Sequence, residues 1–295
     1  MTDAITLDDL NRLDDAGFVS ALGGVFEHAP WVVEAAASGR PYASLADLHA
    51  ALCAAIRGAP VERRLALVRG HPDLAGKAAR AGDLTDESTA EQASAGLDRL
   101  TDAEFQRFHE LNAAYHARFG FPFIVCVRRH GKESILRRFA RRLDNTPEAE
   151  LATALEEVLR IGALRLDQKV TAADRLPVVG RLSTHVLDTH RGRPAEGVAV
   201  ELFELWGEER RPVARGMTNA DGRTDAPLIA GRPLPIARYE LRFDLAGYFA
   251  GLEVPLADPP FLDVVPIRFA IAEPEGHYHV PLLATPWGYT TYRGS

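Results

Sequence analysis

The stretch TAADRLPVVG, residues 171–180, decides the fold, because the hydrophobic pattern changes across it. Before it, apolar residues recur with the three-to-four-residue spacing of helices. After it, short runs alternate apolar and polar residues, as half-buried strands do. The stretch itself has the proline and glycine of a linker. The sequence therefore predicts an all-α domain at residues 1–172, a linker at 173–180 and a β domain at 181–295.

Helix starts recur in the N-terminal half. Three tetrapeptides have the spacing of capping boxes or close variants: SLAD (residues 44–47), STAE (88–91) and TDAE (101–104). In a capping box, a hydroxyl and an acidic side chain three residues later bond each other's backbone N–H groups. In NTPEAE, Thr146 is predicted as the N-cap and Pro147 as the first helical residue. These signals indicate a compact helical domain.

Six alternating runs separated by turn clusters make up the C-terminal half. The runs are RLSTHVLD (181–188), GVAVELFEL (197–205), PVARGMT (212–218), RYELRFDL (238–245), VVPIRFAI (264–271) and HYHVPLL (277–283). Short strands at such regular intervals predict an antiparallel β-sandwich. The fold class expected for the whole chain is multidomain α and β.

Composition excludes several classes of protein. The 295 residues are 46% hydrophobic and 25% charged, which is typical of globular domains. The chain contains neither the roughly 20-residue apolar run of a membrane helix nor the pattern of a signal peptide. Its net charge of -7 gives no general attraction to nucleic acid. Cys53 and Cys126 form no CxxC pair, so no disulfide framework or zinc site is indicated, and a cytoplasmic location is expected.

Polar residues at predicted strands and turns mark the C-terminal half. Two imidazoles, His185 and His279, together with the Arg223 guanidinium, are suited to activate water and hold an anion. Each also fits a purely structural role: histidines occur in half-buried strands, and Arg223 follows the Asp-Gly of a hairpin. His277 and His279 share a strand face, which allows a metal pair, but no third ligand is obvious nearby.

Taken together, LSTHVLDT, DGR, HYHVPLL and GYTTYRGS resemble the transthyretin-like 5-hydroxyisourate hydrolases over residues 180–295. The resemblance implies hydrolysis of a ring amide bond without metal or cofactor. It implies that His185, Arg223, His279 and Ser295 are catalytic and that Tyr292 binds the substrate. Which histidine is the general base stays open.

The same resemblance implies an assembly and a rival class. In the family, a tetramer forms through the sandwich, and the C-terminal tail lies in a channel between subunits. The carrier transthyretin shares that fold and channel, so small-molecule carriage is the alternative to catalysis. The carrier lacks the YRGS ending and the catalytic histidines, and this chain has them.

Three motifs stand out in the N-terminal half: HPDLA (71–75), STAEQ (88–92) and FGFPFIVCV (119–127). Two of their residues also fit purely structural roles. His71 precedes a proline and fits an ordinary turn. Glu91 fits the acidic position of a capping box that begins at Ser88.

In order and spacing, these motifs resemble the decarboxylases of 2-oxo-4-hydroxy-4-carboxy-5-ureidoimidazoline (OHCU) over about residues 5–170. The resemblance implies that His71 is the catalytic acid and that Glu91 acts beside it. Arg165 matches the family's substrate-contacting arginine better than Arg160 does. The further implied contacts are Pro72, Ser88, Thr89, Ala90, Gln92, Phe123, Ile124, Val125, Cys126 and Val127.

The two resemblances reinforce each other, because the product of the hydrolase is the substrate of the decarboxylase. The sequence is therefore interpreted as a bifunctional enzyme of urate degradation, with the C-terminal domain acting first and (S)-allantoin as the product. The expected partners are these small molecules and further copies of the chain, with neither nucleic acid nor membrane. The alternatives are a carrier, or a protein with one active domain.

Overall fold

The computed structural model describes residues 4–76, 85–252 and 254–294. Contacts divide the chain into two compact units, residues 1–128 with 134–178 and residues 129–133 with 179–295. The last long helix of the first unit ends at Lys169, and the first long strand of the second begins at Gly180. The predicted change from helix to strand lies between them, while the limits given for the linker stay a prediction.

Nine α-helices occur in the described part of the N-terminal half. They are α1 Leu7–Arg12, α2 Asp15–Leu22, α3 Pro30–Ala37, α4 Leu45–Gly58, α5 Val61–Arg69, α6 Asp86–Ser94, α7 Asp102–Phe119, α8 Lys132–Arg142 and α9 Pro147–Lys169. A short parallel pair, β1 Ile5–Thr6 and β2 Val170–Thr171, joins the two ends of this half. The prediction of a helical domain is confirmed, and no helix of the described residues is long and apolar enough to cross a membrane.

Most of the predicted helix starts are confirmed. Ser44 caps α4, Thr146 caps α9 ahead of Pro147, and Thr101 forms a complete capping box with Glu104. The capping box predicted at Ser88–Glu91 is wrong. Helix α6 begins earlier, because the Thr85 hydroxyl accepts the Ser88 backbone N–H and caps the helix. Ser88 and Glu91 therefore lie inside α6.

The long helix α9 runs through the core of the first unit. One apolar face of the helix is buried: Leu155, Val158, Leu159, Ile161 and Leu166. Gly162 lies against the Phe26 ring, which a Cβ at this position would overlap. The helix can approach the loop before α3 this closely because residue 162 has no side chain.

The second unit is a sandwich of two sheets. Its elements are β3 Gly180–Asp188, β4 Arg193–Pro194, β5 Ala199–Trp206, β6 Glu209–Met217, β7 Ile229–Arg232, β8 Ala237–Asp244, α10 Leu245–Ala250, β9 Val264–Ile271, β10 His277–Thr285 and β11 Gly288–Thr291. One sheet has the order β11-β10-β3-β4, with β7 also paired to β3, and the other has the order β6-β5-β8-β9. All six predicted strands are confirmed, whereas the short β4, β7, β11 and α10 were not predicted.

Pairing within the sandwich is antiparallel except between β3 and β10, which run parallel. In this pair His279 lies opposite Ser183, and Pro281 lies opposite His185. Because side chains alternate between the faces of a strand, Ser183 and His185 share one face with His277 and His279. The intervening residues, among them Leu182, Val186, Tyr278, Val280 and Leu282, are buried in the sandwich core.

Candidate active sites

One pocket of the helical unit brings together most residues predicted for the decarboxylase. Its lining includes His71, Pro72, Ser88, Glu91, Gln92, Phe123, Ile124, Val125, Val127 and Arg165. Thr89 and Ala90 do not line it and are exposed on α6. Cys126 is buried, and its backbone N–H donates to Glu157 Oε2 at 2.9 Å. Substrate contact by these last three residues stays a prediction.

A paired guanidinium and carboxylate lie at the centre of the pocket. Arg165 Nε donates to Glu91 Oε1 at 2.9 Å, and a terminal nitrogen of Arg165 donates to Glu91 Oε2 at 2.8 Å. This two-point geometry fixes the plane of both groups. Arg160 instead donates to Glu157 Oε1 at 2.5 Å and is absent from the pocket lining. Arg165 therefore lines the pocket and Arg160 does not, while contact of Arg165 with OHCU stays a prediction.

Glu27 is a third charged residue of the pocket, which sequence reasoning missed. Its Oε1 accepts the Ser88 hydroxyl at 2.6 Å and the Thr85 hydroxyl at 2.5 Å, and Arg165 lies 3.4 Å away. Burial raises the pKa of Glu27, but these hydrogen bonds and the charges of Arg165 and His71 outweigh it, so its pKa lies below the usual value. Glu27 is thus an anion at neutral pH. The only sequence signal for it is an acidic residue among the apolar positions before α3.

His71 follows the end of α5 and faces this charged group. Its Nδ1 lies 2.9 Å from the Leu67 carbonyl oxygen. Since a carbonyl only accepts, Nδ1 carries the proton and Nε2 of the neutral ring has a lone pair. Burial lowers the pKa of His71 and is the largest effect. The Leu67 carbonyl and Glu27 raise it by less, and Arg165 and His28 lower it by smaller amounts still, so the pKa lies below the usual value. The imidazole is therefore neutral at pH 7 and begins as a proton acceptor.

The loop that contains His71 is held by amide side chains. Gln92 Oε1 accepts the Ala75 backbone N–H at 2.9 Å, and Asn112 Nδ2 donates to the Leu74 carbonyl at 2.9 Å. Gln92 and Asn112 belong to α6 and α7, so two helices position the segment. The geometry gives Gln92 a structural contact in addition to its place on the pocket lining.

An extended segment between α7 and α8 forms another wall. The guanidinium of Arg142 donates to the Ile124 carbonyl at 2.7 Å and lies 4.5 Å from the centre of the Phe123 ring. Phe123 stacks on Phe139 with 3.9 Å between ring centres. Charged and aromatic groups of the helices thus fix the backbone of this wall.

A second cluster lies on the face of β3 and β10. Backbone bridges join His185 to Arg223 and His279 to Gly294. Burial and then the Arg223 charge lower the pKa of His185. Burial also lowers the pKa of His279, followed by the charges of Arg223, His185, His277 and Arg181. His185 Nε2 is buried and finds no hydrogen-bond partner within residues 4–76, 85–252 and 254–294. Both rings are therefore neutral at pH 7.

The chain end at Gly294 lies beside His279. The Gly294 N–H donates to the His279 carbonyl at 2.8 Å, and a Cβ at residue 294 would lie 2.8 Å from His279 Cδ2. Tyr292 is 56% exposed and lines a groove with Tyr278 and Arg293. Ser295 lies outside the described residues. The roles predicted for Tyr292 and Ser295 stay predictions.

Metal binding has no counterpart in the described geometry. No group of three or more His, Cys, Asp or Glu side chains placed to hold a metal occurs in the part of the chain that the structure describes. His277 and His279 therefore lack a third side-chain ligand there.

The fold and these two clusters define a two-domain protein with one candidate active site in each half. The family described as OHCU decarboxylase matches residues 11–167, and the HIUase/Transthyretin family matches residues 182–294. The chain belongs to both families, to each through one half.

Relatives and a solved structure agree with this division. The chain is 59% identical over 114 residues to the 5-hydroxyisourate hydrolase of Deinococcus radiodurans, covering 39% of this chain and 95% of that protein. It is 42% identical over 168 residues to the OHCU decarboxylase of Haloferax volcanii, covering 57% and 98%. A crystal structure of (S)-allantoin synthase is similar over 99% of this chain and 100% of its own, with a TM-score of 0.53 and 36% identity. That similarity spans both halves.

Proposed function

We propose that this chain converts 5-hydroxyisourate to (S)-allantoin in two consecutive steps of urate degradation. The C-terminal domain hydrolyses 5-hydroxyisourate to OHCU, and the N-terminal domain decarboxylates OHCU. The observation that carries the proposal is that each family match contains one cluster of acid–base groups. His71, Glu91 and Arg165 lie within residues 11–167, and His185 and His279 lie within 182–294.

For hydrolysis, the neutral histidines supply the base. One of them takes a proton from water, whose oxygen bonds to the ring carbonyl carbon. The carbon–nitrogen bond then breaks, the nitrogen takes a proton, and a carboxylate forms. We assign stabilisation of the anionic oxygens to Arg223, because its cation is close enough to lower the pKa of both histidines. We assign the tail residues Tyr292 and Ser295 to the same site.

For decarboxylation, the substrate provides its own electron sink. The bond to the carboxylate breaks, carbon dioxide leaves, and the electron pair enters the adjacent ring imine. The carbon that bore the carboxylate also bears a hydroxyl, whose proton must leave as a proton is added to the neighbouring carbon. The imine nitrogen, which has received the electron pair, takes a further proton from solvent. His71 Nε2 is placed to take the first proton and deliver the second, and Arg165 and Glu91 orient the substrate. Delivery to one face gives one enantiomer.

Assembly and location complete the proposal. We place the chain in a tetramer formed through the sandwich, in agreement with the exposed Trp287, Tyr289 and Tyr292 near its β11 edge. We place it in the cytoplasm, where its two free cysteines, both buried, stay reduced.

The test generates 5-hydroxyisourate in the cuvette with urate oxidase and follows absorbance and circular dichroism after the protein is added. We expect rapid loss of both intermediates and the optical signal of (S)-allantoin alone. A persisting second intermediate would limit activity to the C-terminal domain. No acceleration of either step would leave small-molecule carriage as the function.

A further inference from the structure

The face of β3 and β10 contains a hydroxyl between two imidazoles. Ser183 Oγ lies 3.0 Å from His279 Nδ1 and 3.4 Å from His277 Nε2. The strand register explains this contact, since His279 lies directly opposite Ser183 and His277 lies opposite Arg181, two residues earlier on the same face. A single hydroxyl therefore reaches both rings.

These three groups form a hydrogen-bond chain with two possible directions. A hydroxyl has one proton to donate and can accept, and a neutral imidazole has one donor and one acceptor nitrogen. If His279 Nδ1–H donates to Ser183, the hydroxyl donates to His277 Nε2, and His279 Nε2 is a proton acceptor. In the reverse direction, His277 Nε2–H donates to Ser183, Ser183 donates to His279 Nδ1, and His279 Nε2 carries the proton.

The chain leads from the site to solvent. His279 is half-buried, Ser183 is 9% exposed, and the His277 side chain belongs to an exposed residue. Arg223 and Arg181 act electrostatically on His279, so a positive charge on this ring is repelled by two guanidinium groups. This repulsion favours loss of a proton from an imidazolium at His279.

We propose that Ser183 and His277 relay a proton between His279 and solvent during amide hydrolysis. This inference rests on the proposed function of the C-terminal domain. His279 Nε2 takes a proton from water, the Nδ1 proton moves to Ser183 Oγ, and the Ser183 proton moves to His277 Nε2. No electrons are transferred. His279 then holds its proton on Nε2, ready for the departing ring nitrogen.

The relay must also return to its starting state within one turnover. Hydrolysis of an amide by water yields a carboxylate, an N–H group and one surplus proton. That proton leaves as the new carboxylic acid ionises. In the relay, His277 releases one proton to buffer after the forward shift and takes one up again when His279 Nε2 protonates the ring nitrogen, so the reverse shift of the two protons restores His279 as a base. Ser183 and His277 are thus positioning and relay residues, because neither is assigned contact with the substrate.

The test compares Ser183→Ala, Ser183→Thr and His277→Gln in the full chain. We expect Ser183→Ala to lower kcat for 5-hydroxyisourate about tenfold with little change in KM, since one proton-transfer partner is lost. Ser183→Thr retains the hydroxyl and should recover most of kcat. His277→Gln should lose kcat in dilute buffer and regain it when free imidazole is added, because imidazole can then accept the proton.

The same variants distinguish a relay from a contact that only supports the fold. An unchanged kcat in Ser183→Ala, or a loss in His277→Gln that imidazole leaves in place, would overturn the relay. Thermal unfolding of the sandwich, followed by circular dichroism, verifies that the variants fold. If the wild-type chain does not hydrolyse 5-hydroxyisourate, the proposed function fails. The contact itself is then tested by the 15N shift of His277 Nε2, which the relay geometry requires to change in Ser183→Ala.

Discussion

The helical pocket and the face of β3 and β10 keep histidine neutral in different surroundings. His71 is half-buried beside two carboxylates and a guanidinium that already pair with each other. His279 lies on an open face of the sheet. Burial is the largest cause of its lowered pKa, and the charges of Arg223 and Arg181 lower it further. Both pKa values fall below the usual value. Burial lowers the histidine pKa values in both sites. In the helical pocket, ion pairs between Arg165 and the carboxylates also fix the charged groups around the ring.

The largest effect that tests this contrast is the loss of His71. We expect His71→Asn to reduce OHCU decarboxylation by about 10²–10⁴-fold, the range for a lost general acid–base group. Hydrolysis by the other domain should be unchanged, and His109→Asn, an exposed position on α7, is the matched control. The measurement is single-turnover decay of OHCU. Near-normal decay in His71→Asn would remove the acid–base assignment.

The substitution Gly294→Ala tests whether the position of the His279 ring depends on the absence of a side chain at residue 294. The methyl group of Gly294→Ala would lie 2.8 Å from His279 Cδ2, so the ring must move. A displacement of about 1 Å can cost about 10²-fold in rate, and we expect hydrolysis to fall toward that limit. Gly288→Ala, whose nearest neighbour is Thr285 Oγ1 at 3.8 Å, is the control. Equal hydrolysis rates in both variants would contradict a fixed position of His279.

Glu27→Gln tests the ion pairs of the helical pocket. The amide retains an acceptor for Ser88 and Thr85 but removes the negative charge beside Arg165. We expect decarboxylation to fall about tenfold because the orientation of Arg165 is less restrained. The pKa of His71 should fall further, because the Glu27 charge raises it. NMR titration of His71 measures this shift, and Glu156→Gln, in a surface ion pair with Arg57, is the control.

The smallest effect is a pH dependence. A lowered histidine pKa keeps the basic form populated as the pH falls, so kcat/KM for hydrolysis should stay level to below pH 6.5, the unperturbed value. Arg223→Gln removes a cation that lowers both pKa values, so the acidic limb should move to higher pH. An acidic limb centred above pH 6.5 in the wild-type chain would contradict the neutral histidines.

The titratable groups of both sites make the folded state less stable as the pH falls. For His71, His185 and His279 the folded pKa lies below the unfolded one, so the unfolded state binds more protons as the pH falls through the unfolded value. For Glu27 the folded pKa is also depressed, so its contribution is present at neutral pH and is lost in acid. All four groups therefore favour the folded state less at low pH.

Sequence patterns anticipated most local structure, while the roles predicted for the site residues stay predictions. The caps at Ser44, Thr101 and Thr146 were predictable because each bond spans three residues. The cap at residue 88 was placed wrongly because Thr85 offers the same hydroxyl one turn earlier. The motifs also anticipated that His71, Glu91 and Arg165 meet in one pocket.

Local spacing alone determined the six long strands and the main helices, because alternation and capping depend on neighbouring residues. Only the tertiary structure decided the contacts of Glu27, which lies 61 residues from Ser88 and 138 from Arg165. It also decided the parallel pairing that brings Ser183 to His279 across 96 residues. Such contacts depend on how distant elements pack, and no periodicity in the chain specifies that packing.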